Sequence, residues 1–296
     1  MDDRHRTQEL RAEAWLLLVV LIWAANYPLA KWAISGMDVA IFNAIRFVVA
    51  ALVTTSIFFS QASWTPIDRG GWRRILTTGL VAHVFYQVIF LWGLSMTSAG
   101  NVAVLLATSP LWTLFINAKL HREKIQKIMW FGMAISLAGI TLIIVGSGKN
   151  IEFGGSAILG DLISLMAAML WGLHTNLQKP LVLNYSVFQV TFLMLAVGGT
   201  GLSLIALPKA VTFLWSSTPW TYYAAAISSG AISIGIGNIL WSNGVKRLGP
   251  GRTSNFNNLI PVLAFIISYL TLHEEISLIQ VIGVVVTIVG VWSART

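Results

Sequence analysis

Apolar runs long enough to cross a bilayer cover roughly three-quarters of this 296-residue chain. They fall at about 14–34, 39–60, 73–96, 98–118, 126–146, 158–180, 186–207, 220–245, 252–272 and 276–294. Lipid offers no partner to an unpaired backbone N–H or C=O, so a spanning segment must be helical, and ~30 Å of hydrocarbon takes about 20 residues. The expectation is an all-α integral membrane protein of ten transmembrane helices with little chain left for a soluble domain. Composition agrees: 56% of residues are hydrophobic and only 10% charged, against about 25% charged in soluble proteins.

The formal net charge of +8 invites a nucleic-acid reading, which the positions of the 19 Lys and Arg argue against. With the N-terminus on the cytoplasmic side, fifteen of them fall in the tail and the inner loops. Only Lys31, Lys149 and Lys209 fall in outer connections, and Arg46 lies inside a helix. That bias is the positive-inside pattern of a membrane protein with both termini in the cytoplasm. Residues 1–13 are polar and the first apolar run is full length, so no cleaved signal peptide is expected. The chain contains no Cys, which excludes disulfides, thiolate metal sites and Cys nucleophiles.

The chain also repeats itself. Trp23 and Lys31 recur 148 residues later as Trp171 and Lys179. Farther on, at a constant offset of 151, Gly100, Pro110, Glu123, Gly132 and Gly139 recur as Gly251, Pro261, Glu274, Gly283 and Gly290. Five helices per copy is an odd number, so the second copy enters the membrane from the opposite side. Inverted repeats of this kind enclose a substrate site between the halves of many secondary transporters. The units expected are a cytoplasmic tail (1–13), a first five-helix repeat (14–146), an extracytoplasmic linker (147–157) and a second five-helix repeat (158–294).

Two sets of residues carry a family resemblance over essentially residues 14–294. One is Arg46-Phe47-Val48-Val49-Ala50-Ala51-Leu52, then Thr97-Ser98-Ala99-Gly100 leading through Pro110 to Glu123 and Gly132. The other is Lys246-Arg247-Leu248-Gly249-Pro250-Gly251-Arg252, then Pro261, Leu272, Glu274 and Gly283. The chain resembles the ten-helix drug/metabolite transporter superfamily, built from two EamA-type repeats, and within it is most similar to bacterial amino-acid exporters, aromatic ones included. The resemblance implies export of a small metabolite across the inner (plasma) membrane. The chain departs from the family's Leu-Gly-Glu turn, reading His121-Arg122-Glu123 and His273-Glu274-Glu275. Arg46 is also one-sided: when Phe188-Gln189 is matched to Phe42-Asn43, the Arg position falls on Phe192.

A helix lining a polar cavity shows polar or aromatic side chains at i, i+3 and i+4. That spacing selects Trp23, Asn26 and Tyr27; His83, Tyr86, Gln87 and Phe90; Trp171, His174, Thr175 and Gln178; Asn238, Trp241 and Ser242; and Asn255 with Asn258. The candidate substrate-binding set is Trp23, Asn26, Tyr27, Asn43, Arg46, His83, Tyr86, Gln87, Trp171, His174, Thr175, Asn238, Trp241 and Asn258. Flat apolar walls with a few orienting amides suit a small zwitterionic or aromatic solute, and the Arg46 fork suits its carboxylate. For any one of the small polar residues, an interhelical hydrogen bond is the plainer role, and Arg46 has the alternative of snorkelling to the outer headgroups. Trp15, Trp32, Trp64, Trp72, Trp130, Trp215, Trp220 and Trp292 sit at span ends as an interfacial belt. Ser229, Ser233 and Gly237 read as a packing stripe. Pro28, Pro110 and Pro261 inside spans are candidate hinges.

No intramembrane protease or hydrolase constellation is present, so an enzyme is not expected, nor any cofactor or metal. The expected partners are a small-molecule substrate and the lipid bilayer, with the protein a monomer or homodimer. All eleven acids lie in a tail, a loop or the first turn of a span, which favours a facilitator over an ion-coupled carrier. A proton-coupled antiporter acting through His83 and His174, a channel and a membrane receptor are the alternatives.

Overall fold

The computed structural model describes residues 3–61, 63–97, 102, 105–121, 127–146, 156–263, 267 and 277–293. Its helices are α1 (Asp3–Gly36), α2 (Val39–Gln61), α3 (Arg69–Met96), α4 (Ser109–His121), α5 (Lys127–Gly146), α6 (Ser156–Asn184), α7 (Val187–Thr212), α8 (Trp220–Leu263) and α9 (Leu278–Ser293). Among the described residues there is no strand.

Six of these, α1, α2, α3, α6, α7 and α8, are long and apolar enough to cross a membrane. Shorter apolar stretches, Trp130–Leu142 and Leu278–Gly290, lie in α5 and α9. The runs expected at 98–118, 252–272 and 276–294 pass partly through residues outside the described set, as do Glu123 and Glu274. The expected N-terminal tail is a helical extension of α1 from Asp3 onward. Its Glu9 and Glu13 reach Arg252 at 3.4 and 3.3 Å.

Local chemistry sets the helix ends. Asp38 accepts from the backbone N–H of Ala40 at 2.9 Å and opens α2, as Asp68 accepts from Gly71 at 3.0 Å and opens α3. The Tyr185 hydroxyl between α6 and α7 donates to the same Asp68 carboxylate at 2.7 Å. At the far end of α3, the Lys31 ammonium on α1 donates to the carbonyls of Leu94 and Thr97, a cation placed at the negative end of a helix dipole.

The 44 residues of α8 would make a rod of about 66 Å, twice the hydrocarbon thickness. Gly249 breaks it. This glycine has φ 80° and ψ 167°, in the left-handed half of backbone space where a Cβ is costly. Pro250 follows and cannot extend the preceding hydrogen-bond ladder. Two π-helical turns interrupt the ladders elsewhere, at Leu80–Phe85 in α3 and Ser229–Ile236 in α8. Shifted by 151, the first lands on residues 231–236, inside the second.

Packing follows a reciprocal pattern. α2 lies along α7, and α5 along α9; α3 beyond its π-turn packs on α6, and α1 packs on residues 237–254 of α8. The π-turn of α3 rests on α7, and that of α8 on α2. A Cβ on Gly198 or Gly199 would press on Phe47, and the former also on His83, so glycine is what lets α7 approach α2 and α3 here.

The three candidate hinges have different settings. α1 runs through Pro28 without a break. Pro110 sits in the first turn of α4, after a turn at Ala107–Thr108, where a missing N–H leaves nothing unpaired. Pro261 follows a short 3-10 segment, Asn255–Leu259.

Candidate functional site

A narrow cavity lies where α1, α2, α3, α4, α6 and α8 converge. Five aromatic rings form part of its wall. Trp23 meets Trp171 edge-on at 5.2 Å between centroids, Tyr86 lies 5.0 Å from Trp171, Tyr86 stacks on Phe90 at 5.7 Å, and Tyr27 meets Phe90 edge-on at 5.8 Å. The Trp23 indole is fixed by donating to the Ser233 carbonyl at 3.0 Å.

The polar part of the wall comes from Asn26, Arg46, Gln87, Ser109, Ser233, Asn238 and Asn257. Arg46 is 1% exposed, and its guanidinium lies 5.2 Å from the centre of the Phe42 ring. Its Nε donates to Ser229 Oγ at 2.8 Å and its Nη1 to Asn43 Oδ1 at 3.5 Å. Ser229 in turn donates to Asn26 Oδ1 at 2.6 Å. Among the described residues, no carboxylate pairs with Arg46. Asn238 donates to the Ile234 carbonyl at 2.8 Å and Asn257 to Ser109 Oγ at 2.9 Å, while Gln87 Oε1 and Asn257 Oδ1 are buried without a hydrogen-bond partner.

Of the fourteen residues singled out from the sequence, eight line this cavity: Trp23, Asn26, Tyr27, Arg46, Tyr86, Gln87, Trp171 and Asn238. The other six stand behind it. Asn43 touches the far side of Arg46. Trp241 backs Trp23 and Trp171 at 5.2 and 5.5 Å. The Thr175 hydroxyl is used on the Trp171 carbonyl at 2.9 Å. His83 and His174 pack on each other at 5.6 Å, His174 edge-on to Trp171 at 5.0 Å. Deeper still, Ser242 links Thr191 and Gln178, each at 3.2 Å. Asn258 is buried within the 3-10 segment, and its neighbour Asn257 takes the place on the wall.

Two departures from simple helical spacing explain these placements. The π-turn at Leu80–Phe85 adds a residue between the inner part of α3 and Tyr86, so His83 does not share the face of Tyr86 and Gln87. The 3-10 turn at Asn255–Leu259 advances the phase the other way and brings Asn257 round. Ser109, Leu106 and Ala107 carried no signal, because small residues at a helix break look like any turn.

The sequence profile of the EamA-like transporter family matches residues 10–145 and again 158–296. The chain is 23% identical over 282 residues to YoaV of Bacillus subtilis, described as an uncharacterized transporter, with 94% of each chain covered. It is 24% identical over 284 residues to a probable terminal-alkyne amino-acid exporter of Streptantibioticus cattleyicolor, covering 96% of this chain and 93% of that one. A solved crystal structure shares the fold at a TM-score of 0.76 and 17% identity, over 96% of this chain and 98% of the other. A twofold profile match spanning nearly the whole chain, joined to apolar helices around a polar-lined cavity, has one reading: the chain belongs to the EamA-like transporter family, a multi-pass membrane transporter and not an enzyme.

Proposed function

We propose that this protein carries a small carboxylate-bearing metabolite, with amino acids and aromatic ones among them, out of the cytoplasm by alternating access. One observation carries the reading. Arg46 is a buried guanidinium on the wall of an aromatic cavity, with no carboxylate paired to it among the described residues. A buried charge without a counter-ion is costly, and a solute carboxylate supplies one through two parallel hydrogen bonds. The rings of Trp23, Trp171, Tyr86 and Phe90 then take the solute's apolar end, and Gln87 Oε1 is an acceptor for its ammonium. The relative described as an amino-acid exporter supports this class of cargo.

The frame is read as ten spans in two inverted halves, residues 14–146 and 158–294, with both termini in the cytoplasm and the protein in the inner membrane. Reciprocal packing of α2 with α7 and α5 with α9, and π-turns at matching positions, support it. The break at Gly249 supports counting α8 as two of the spans.

Transport is read as facilitative, since the solute's own gradient suffices to drive an accumulated metabolite outward. Proton-coupled antiport is a second reading, favoured by the contact of His83 with His174 beside Trp171 and by their three ring nitrogens that lack a partner. The test is flux of a panel of labelled amino acids into proteoliposomes, with and without an imposed pH gradient. Equilibrating flux independent of the gradient is expected. Uphill accumulation driven by protons and lost on His83→Gln would favour the second reading, and absence of flux for every carboxylate would overturn both.

A further inference from the structure

The cavity wall holds two side chains of mixed or diffuse hydrogen-bonding capacity, Asn26 and Arg46, and one buried hydroxyl joins them. Ser229 sits at the first position of the α8 π-turn and is buried. Its oxygen accepts from Arg46 Nε at 2.8 Å, so its single proton is free to go elsewhere, and it goes to Asn26 Oδ1 at 2.6 Å. Each of these bonds removes an alternative. With Nε on Ser229, one Nη1 N–H toward Asn43 at 3.5 Å and the Phe42 ring 5.2 Å from the guanidinium, Arg46 has Nη2 and the second N–H of Nη1 left for a ligand. With Oδ1 engaged by Ser229, the Asn26 amide is held in one orientation, its N–H groups on the opposite side. The backbone brings this about: a Cβ on Gly230, the next residue, would overlap the Arg46 main chain, so α8 can lie against α2 only with glycine there.

We infer that Ser229 is a positioning residue that fixes the orientation of Arg46 and Asn26 so that their remaining N–H donors meet a ligand, selecting solutes that present a planar oxyanion such as a carboxylate. The inference rests on the reading that Arg46 takes the carboxylate and adds what aims it. It also gives Ser229 a role that its place in a stripe of small residues concealed. A guanidinium free to turn about its side-chain bonds must be ordered at each binding event, and that cost falls on affinity. The loss from Ser229→Ala therefore belongs in KM, while the maximal rate, set by the conformational cycle, holds.

The experiment is a double-mutant cycle over Ser229→Ala and Arg46→Gln, read as proteoliposome flux of L-phenylalanine, L-alanine and benzoate. It is joined by the exchange rate of the Arg46 Nε proton in a ¹⁵N-arginine NMR spectrum of the purified protein, assigned by its loss in Arg46→Gln. The expected result is a KM about tenfold higher in Ser229→Ala with kcat within about twofold, the size of one charge-assisted bond. Ser229→Ala is expected to add much less in the Arg46→Gln background, only the part that acts through Asn26. Ser229→Thr, which keeps the hydroxyl, restores KM if its methyl is accommodated. The slowly exchanging Nε proton is expected in the wild type and lost in Ser229→Ala, whichever probe is carried. Equal losses in both backgrounds, or an Nε proton as protected in Ser229→Ala as in the wild type, would overturn the role of Ser229. A wild-type KM that does not change on Arg46→Gln would instead overturn the carboxylate reading itself.

Discussion

The first half of the chain and the second half build the cavity wall from corresponding positions but with different chemistry. Trp23 faces Trp171 at an offset of 148, and at 151 Gln87 corresponds to Asn238, Leu106 to Asn257 and Ser109 to Ile260, all on the wall. The charge has no such twin. At the position corresponding to Arg46 stands Phe192, which packs on Phe58 at 4.8 Å. Both phenols and Phe90 also come from the first half, whereas the second adds an indole, two amides, a serine and two isoleucines. A frame that repeats thus holds a wall that does not, and on the proposed reading its single cation decides which end of a solute it faces.

The sharpest way to break that comparison is Arg46→Gln, which keeps a donor for Ser229 and removes the charge. Flux measurements are expected to show KM rising about 100-fold, the loss of roughly two charge-assisted hydrogen bonds, and Phe192→Arg added to it is not expected to recover transport. Recovery would mean the two sides are interchangeable. A smaller effect separates Gln87 from Asn238. Gln87→Leu removes an unpartnered acceptor facing the solute and is expected to raise KM about tenfold. Asn238→Leu removes an amide that already donates to the Ile234 carbonyl and is expected to raise it less.

The tryptophan pair can be compared through stability alone. Trp23→Phe loses the bond to the Ser233 carbonyl and is expected to cost about 1 kcal/mol, while Trp171→Phe deletes an N–H buried without a partner and is expected to be close to neutral. Unfolding midpoints of the two variants check this. Smallest of all is Tyr185→Phe, at a contact between a loop of the first half and one of the second. The Tyr185 hydroxyl, with the Gly71 N–H, holds the Asp68 carboxyl below the usual carboxylate range, and Asp68 holds the Tyr185 hydroxyl above its own. Because the folded value is the lower one, the contribution is full above an unfolded pKa of about 3.9 and fades as pH falls through the folded value. The wild-type and Tyr185→Phe midpoints are therefore expected to differ near neutral pH and converge in acid.

Much of the site could be read from spacing where the helices are regular. Trp23, Asn26 and Tyr27 share a face of unbroken α1, and Tyr86 and Gln87 follow the α3 π-turn on one face. Spacing failed where the period changes, at His83 before the end of that turn and at Asn257 within a 3-10 turn. It also failed at Ser229, whose alternation with Ser233 and Gly237 reads as close packing until Arg46 is seen beside it. Helix boundaries set by long-range contacts, such as the meeting of the Lys31 ammonium with the Leu94 and Thr97 carbonyls, leave no local trace.

The two π-turns have a consequence for the history of the chain. A π-turn is what an α-helix makes of one residue too many, and here it occupies corresponding stretches of α3 and α8. On the inverted-repeat reading, the simplest account is that the extra residue entered a single ancestral five-helix unit before that unit was copied. The irregularity would then be older than the protein's own symmetry, and the halves diverged around it, one acquiring His83 and the other Ser229.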